Sequence, residues 1–383
     1  MAPELCRSPA AGRRRRLVAG VLIVGGVLFL LVRRHEAQTP TRVAQAPAVR
    51  AAGKDEASPR ASVAGRPYQV GYRRETFRFV TPSGDHRVRQ LDLWYPTDER
   101  EQRHSYHGQI GFAAEGASVA RGLHPLLVFS HGYLLGASDQ SIFLTEGLAR
   151  AGYVVASMNH ADSLANIEQR KGERPNFGDV ARWNDTRFRD RQEDVVALLD
   201  EMLERTRTAG SPWKGHLDPA AIGGTGHSLG GYTMMGLAGG WPSWKEPRLK
   251  AAVLYSPYVM PFDRSGDPAR VTIPVMMQGG TRDWGITPFL GPVYRKLAGP
   301  KILLVLKNEN HFGWTGVASW NKTTTECVAQ GNPELMLRYT VAFFDRYLLG
   351  QDRAQILAKG DPKLDSYRYE EPKAAPKPDG KSQ

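Results

Sequence analysis

Gly226-His227-Ser228-Leu229-Gly230 decides how this chain is read. It has the form G-x-S-x-G. Ala220-Ala221-Ile222-Gly223-Gly224 precedes it as a short apolar strand end, and Tyr232 to Ala238 follows it as the first turns of a helix. A nucleophile held on a tight strand-to-helix turn takes a strained backbone, and side chains at the flanking positions would collide. The helix start then directs free N–H groups at charge developing beside the serine. Three fixed positions in a chain with 40 glycines also arise by chance, so the motif needs partners.

Four features supply them. Ile273 to Gly280 is an apolar run ended by glycines and predicts a buried strand; Asp283 follows in the loop at its C-terminal edge, where open α/β sheets collect their functional groups. Lys301 to Leu306 predicts a second buried strand, and His311 comes just after it. The order Ser228, Asp283, His311 is the one expected of this scaffold. Pro125 to Ser130 predicts an early central strand, and the His131-Gly132-Tyr133 after it suits an oxyanion loop. The donors assigned are the backbone N–H groups of Tyr133 and Leu229, each worth ~3–4 kcal/mol in a transition state. Finally, strand-like and helix-like segments alternate from residue 125 to 349, as a parallel sheet with crossover helices requires.

With these residues in view the chain resembles the α/β-hydrolase family, and within it the platelet-activating-factor acetylhydrolase and dienelactone-hydrolase-like serine esterases. The likeness is carried by Leu127-Val128-Phe129-Ser130-His131-Gly132, Leu148 to Val155, Asn159-His160-Ala161-Asp162 and Gly226 to Gly231, and spans roughly residues 70–350. It implies an α/β fold with a mostly parallel central sheet, helices on both faces and an N-terminal antiparallel edge. Two positions depart from the subfamilies: Ser228 stands where dienelactone-type enzymes use cysteine, and His160-Ala161-Asp162 stands where the acetylhydrolases commonly carry His-Arg-Asp. The implied activity is carboxylic-ester hydrolysis through an acyl-enzyme, on short-acyl or phospholipid-type esters. Acyl transfer or polyester (cutinase-like) hydrolysis on the same residues, and a non-catalytic hydrolase-fold binding protein, are the alternatives.

Competing readings attach to neighbouring residues. Asp263 and Asp267 follow the strand Ala251–Tyr255, and an acid one strand earlier is a known variation, so Asp263 is the second candidate. Glu309 is too near His311 to orient its imidazole. His131 is read as bracing the oxyanion loop, His227 as scaffold pointing away from Ser228, and His160 and Asp162 as stabilising a loop. Tyr133, Trp284, Phe312 and Trp314 are expected to line an apolar substrate cleft, with core packing as the alternative, and for Trp314 the two readings are not separable. The polar stretch from Ser163 to Arg189 reads as a cap over the site or a solvated insertion. No metal or cofactor is expected: H-E-x-x-H spacing and nucleotide-binding glycine fingerprints are lacking.

The N-terminus bears on location. Arg13-Arg14-Arg15-Arg16 precedes Leu17 to Val32, sixteen uncharged residues. As a helix at ~1.5 Å per residue this run is about 24 Å long, against a hydrocarbon core of ~30 Å. Residues 1–34 are expected to be an uncleaved signal-anchor with the arginines cytoplasmic and the catalytic domain exported, the alternative being secretion after signal cleavage. Residues 35–66 are expected to be a disordered tether, 67–360 one catalytic domain, and 361–383 a disordered tail. The formal net charge is +12, but residues 1–66 carry twelve Lys and Arg against four Asp and Glu. The domain itself is therefore nearly balanced, and a nucleic-acid face is not expected. With Cys6 ahead of the apolar run and Cys327 alone behind it, no intrachain disulfide is expected in the exported part. The expected partners are a small-molecule or lipid ester and the membrane.

Overall fold

β5 (His124–Ser130) shows how this sequence builds its sheet. All seven residues are buried. Leu126 and Val128 join one apolar cluster, while Leu127 and Phe129 join a second on the opposite face. A strand covered on both sides needs apolar residues at every position, which is why it reads as a continuous run rather than an alternation.

The computed structural model describes residues 67–372, apart from 107–108, 134–135, 169–171, 320 and 330. The leader and tether expected over residues 1–66 lie outside the described residues, as does the chain beyond 372. Among the described residues, no helix is long and apolar enough to cross a membrane.

The elements run β1 (Gln69–Val80), β2 (His86–Thr97), β3 (Gln102–Tyr106), β4 (Gln109–Glu115), β5, α1 (Ile142–Arg150), β6 (Val154–Met158), α2 (Arg189–Arg205), β7 (Leu217–His227) and α3 (Leu229–Met235). They continue with β8 (Leu249–Tyr255), α4 (Met260–Arg264), β9 (Val275–Gly280), α5 (Leu290–Lys296), β10 (Lys301–Leu306), α6 (Thr324–Val328), α7 (Asn332–Leu349), α8 (Ala354–Leu357) and β11 (Leu364–Glu370). The strands form one sheet in the order β11-β10-β9-β8-β7-β5-β6-β2-β1-β4-β3. From β6 through β10 every neighbouring pair is parallel. α1 and α7 cover one face through Phe143, Leu144, Leu148, Met336, Tyr339 and Phe343. α2, α3 and α5 cover the other through Val195, Leu198, Leu199, Met202, Met235 and Val293. This is the three-layer α/β architecture with helices on both faces.

Three expectations are amended. The antiparallel hairpin β1–β2 forms, but β4 adds to β1 in parallel and β3 pairs antiparallel with β4, so this edge is a mixed four-stranded region and not one hairpin. β3, Gln-Arg-His-Ser-Tyr, is mostly exposed and polar, and so carries little apolar signal. The tail expected from residue 361 is corrected: β11 pairs antiparallel with β10, Leu364 is buried, and Tyr367 and Tyr369 pack on the same cluster as α7. The stripe expected on the last helix from the spacing of Leu337, Val341, Phe344 and Leu348 also shifts. Phe344 and Leu348 are buried as expected, together with Leu335, Met336, Tyr339 and Phe343, whereas Leu337 and Val341 are only half-buried. This helix is apolar around much of its circumference, so spacing alone does not select the buried stripe.

Ser163 to Arg189 is not a merely solvated insertion. Trp183 and Phe188 are buried, stack on each other at 5.3 Å and meet Tyr232 of α3 edge-on. Glu173 pairs with Arg187 and accepts from the Phe188 N–H, closing this segment on itself.

Candidate active site

The loops after β5, β7, β8, β9 and β10 all leave the same edge of the sheet, since these strands run parallel. They carry His131–Tyr133, Ser228, Ser256, Asp283 and His311 respectively.

Ser228 sits between β7 and α3 with φ 55° and ψ −115°. A positive φ in a non-glycine residue costs of order 1–3 kcal/mol and persists only where its surroundings fix it. Here the Ser228 N–H donates to the Tyr255 carbonyl at 3.0 Å, and its carbonyl accepts from Tyr232 at 3.1 Å and Tyr258 at 3.0 Å. The flanking glycines are required by close approach. A methyl group on Gly230 would lie 1.9 Å from the Ser130 carbonyl oxygen, and one on Gly226 would lie 2.6 Å from the Gly230 backbone.

Nε2 of His311 accepts from the Ser228 hydroxyl at 3.0 Å, and Nδ1 faces Oδ2 of Asp283 at 2.9 Å. A carboxylate only accepts, so the network puts the imidazole proton on Nδ1 and leaves Nε2 free for the serine. Asp283 is 5 % exposed and Ser228 8 % exposed, so both are shielded from bulk water. The Arg282 N–H donates to the Glu309 carbonyl at 2.8 Å, tying the loop of the acid to that of the histidine.

The rival acids lie elsewhere. Asp263 pairs with Lys296 at 2.9 Å and Asp267 with Arg270 at 3.0 Å. The Glu309 side chain accepts from Asn332 at 2.8 Å.

Sequence reasoning missed Ser256. Its hydroxyl donates to Oδ2 of Asp283 and lies 2.9 Å from Nδ1 of His311. It directly follows β8, the position of the one-strand-earlier acid. A second omission is Gln140. Its Oε1 accepts from the Gly132 N–H at 3.0 Å, its Nε2 donates to Nδ1 of His227 at 3.1 Å, and Nε2 of His227 donates to the His311 carbonyl at 2.7 Å. His227 is thus scaffold, but it is turned towards the His311 loop rather than away from the site. Burial, with His311 beside it, holds its pKa down to about 3, so it is neutral in this relay.

Beneath the 131–133 loop lies a buried polar layer. The Ser130 hydroxyl donates to Nε2 of His160 at 2.9 Å, and Nδ1 of His160 donates to Oδ2 of Asp194 at 3.0 Å. The order of groups repeats that of Ser228, His311 and Asp283. All three of these residues, however, are wholly inaccessible to solvent, so they brace the end of β5 and meet no ligand. Burial opposes ionisation of Asp194, yet His160 and Arg89 bring its pKa down to about 2. Burial and Arg191 lower His160, keeping it neutral. Asp162 belongs to the same layer through Arg191 of α2.

The aromatic candidates separate. Trp314 is fully buried with its Nε1 donating to Gln278 at 3.0 Å, so it is core and does not line a cleft. Trp284 is 80 % exposed and projects beside Asp283. Phe312 is 37 % exposed and meets the His311 ring edge-on at 5.6 Å. Tyr133 is half-buried and touches Phe177, which in turn meets Tyr258 edge-on at 4.8 Å.

Comparison with known proteins supports the architecture. A ferulic acid esterase from Streptomyces cinnamoneus aligns with 80 % of this chain and 98 % of its own, with a TM-score of 0.57 and 21 % identity. At that identity the likeness establishes the fold, an α/β-hydrolase fold. No family model matches the chain, and no curated protein matches it in sequence.

Proposed function

We propose that this protein is a serine hydrolase of carboxylic esters that works through an acyl-enzyme on Ser228, His311 and Asp283. The observation that carries the reading is the pair of contacts through one imidazole, 3.0 Å from Nε2 to the Ser228 hydroxyl and 2.9 Å from Nδ1 to Asp283. In the first half-reaction the Ser228 oxygen bonds to the ester carbonyl carbon while Nε2 takes its proton. The tetrahedral oxyanion is held by the N–H groups of Tyr133 and Leu229. Leu229 is the first residue of α3, so its amide has no carbonyl within the helix to bond to. Collapse breaks the ester C–O bond, and the leaving alcohol takes the proton from Nε2. Water, deprotonated by the same nitrogen, then releases the acid.

On substrate, the resemblance to acetylhydrolases and dienelactone-hydrolase-like esterases supports short-acyl or phospholipid-type esters. Aromatic acyl esters are the second reading. It is favoured by the Tyr133–Phe177–Tyr258 cluster, whose Tyr258 N–H bonds the Ser228 carbonyl, and by the name of the structural neighbour. A hydrolytic-rate profile over acetyl to palmitoyl esters and methyl ferulate separates the two. Covalent labelling with a fluorophosphonate, mapped by peptide mass spectrometry, tests the nucleophile: label on Ser228 supports the proposal, and an unlabelled, folded protein contradicts it. An added alcohol that competes with water for the acyl group would mark acyl transfer instead. Membrane attachment through residues 1–34 belongs to the same proposal. It is supported by the sequence of that segment alone, and retention in the membrane pellet after carbonate extraction tests it.

A further inference from the structure

Arg191 bonds to the acid Asp162 and to the loop after β5 at once. It is fully buried on α2, and all five of its N–H donors are engaged. Nε and Nη2 grip Asp162 at 3.0 and 2.7 Å. Nη1 donates to the His131 carbonyl at 2.7 Å and approaches the Ser130 hydroxyl at 3.4 Å, and Nη2 also donates to the Gly132 carbonyl at 3.2 Å. The Gly132 carbonyl has a second donor. The His160 N–H donates to Nε2 of His131 at 2.9 Å, so the His131 proton sits on Nδ1, which is 2.6 Å from the Gly132 oxygen.

We infer that Arg191 is the positioning residue for oxyanion stabilisation: with His131 it holds the Gly132 carbonyl on the buried side of the loop, which turns the Tyr133 N–H to the Ser228 side. The peptide between Gly132 and Tyr133 is trans, because the described residues contain no cis bond, and in a trans peptide the C=O and N–H point opposite ways. Gly132 packs against the nucleophile turn: a methyl on it would lie 3.1 Å from Nδ1 of His227 and 3.5 Å from Cβ of Ser228. Among the described residues, the one further hydrogen bond of this glycine, which lies outside the strand ladder, runs from its N–H, in the preceding peptide unit, to Gln140. Lysine cannot substitute, since it lacks the planar five-donor fork.

This inference rests on the hydrolase reading, and the test separates the two. Ester kinetics and affinity for an aryl boronic acid, which forms a tetrahedral adduct on a reactive serine, are measured for wild type, Arg191→Met and Asp162→Asn, alongside their unfolding midpoints. Misaiming one oxyanion donor is expected to lower kcat by on the order of 10- to 100-fold while KM changes less than about threefold. Boronate affinity falls in the same proportion as kcat, and Asp162→Asn shows a smaller loss of the same kind. A folded Arg191→Met that keeps wild-type kcat and boronate affinity, with only a lowered unfolding midpoint, overturns the inference and leaves the hydrolase reading intact. Should neither variant fold, the crystal structure of the wild-type boronate adduct decides. The Tyr133 N–H on a boronate oxygen, with the Gly132 carbonyl on Arg191, supports the inference; a Tyr133 nitrogen beyond about 3.5 Å from that oxygen overturns it. A wild-type protein that neither cleaves esters nor forms the adduct removes the hydrolase reading, and this one with it.

Discussion

The Ser256 hydroxyl donates to Oδ2 of Asp283 and lies 2.9 Å from Nδ1 of His311, so the imidazole proton faces two oxygens instead of one. Ser256 is itself held at φ 41° by a bond from its N–H to the Gln278 carbonyl at 2.7 Å. It therefore fixes where the carboxylate and the ring meet. Ser256→Ala leaves the Asp283 contact in place but removes one bond to a charged acceptor. The expected loss is about 1–2 kcal/mol, roughly tenfold in kcat/KM. Unchanged kcat/KM would make Ser256 a bystander.

Asp283→Asn is expected to cost about 10⁴-fold in kcat, because an amide favours the wrong imidazole tautomer. Asp263 is a half-exposed partner of Lys296, and Asp263→Asn should stay within about twofold of wild type. Steady-state kinetics on both variants check the assignment; the reverse pattern would move the acid to the earlier strand.

Gly230→Ala tests the turn itself. The added methyl meets the Ser130 carbonyl oxygen at 1.9 Å and the His131 carbonyl oxygen at 2.8 Å, both backbone atoms that cannot swing aside. Destabilisation on the order of 3 kcal/mol or more is expected in denaturant unfolding. Near-native stability would show that the approach of α3 to β5 is looser than described.

Much of this was legible in the sequence. β5, β9 and β10 are unbroken apolar runs, and Asp283 and His311 stand out because each follows such a run. Ser228 stands out through its glycines. Ser256, Gln140 and Arg191 gave no comparable signal. Each acquires its role from partners far along the chain, as Gln140 does from His227 and Arg191 from Gly132. Arg191 is, besides, preceded by a run of exposed or partly exposed arginines. β3 and β11 are edge strands with half their residues in water, so their composition resembles that of loops. Trp284 and Trp314 look alike beside their respective loop residues. Only the packing of Trp314 against Gln278 shows that one is core and the other surface.

Glu146 predicts a pH dependence of stability. It is buried on α1, and burial lifts its pKa to about 7 from 4.5, against bonds from Thr324 and the Phe112 N–H. The folded protein thus keeps a proton that the unfolded chain releases. Stability from protonated Glu146 is complete below about pH 4.5 and is lost as pH rises towards 7. Glu146→Gln should therefore gain in Tm relative to wild type between pH 5 and about pH 8. A Tm difference that stays constant across that range would contradict the assignment.

The central claim is that Ser228 is the nucleophile of an esterase. It is tested most directly by turnover of p-nitrophenyl esters, from acetyl to palmitoyl, by the full chain and its Ser228→Ala variant. The account predicts turnover by the wild type and a loss of about 10⁴-fold or more in the variant, with the unfolding midpoint preserved. A folded wild type that cleaves no ester, or a variant that keeps the wild-type rate, would contradict it.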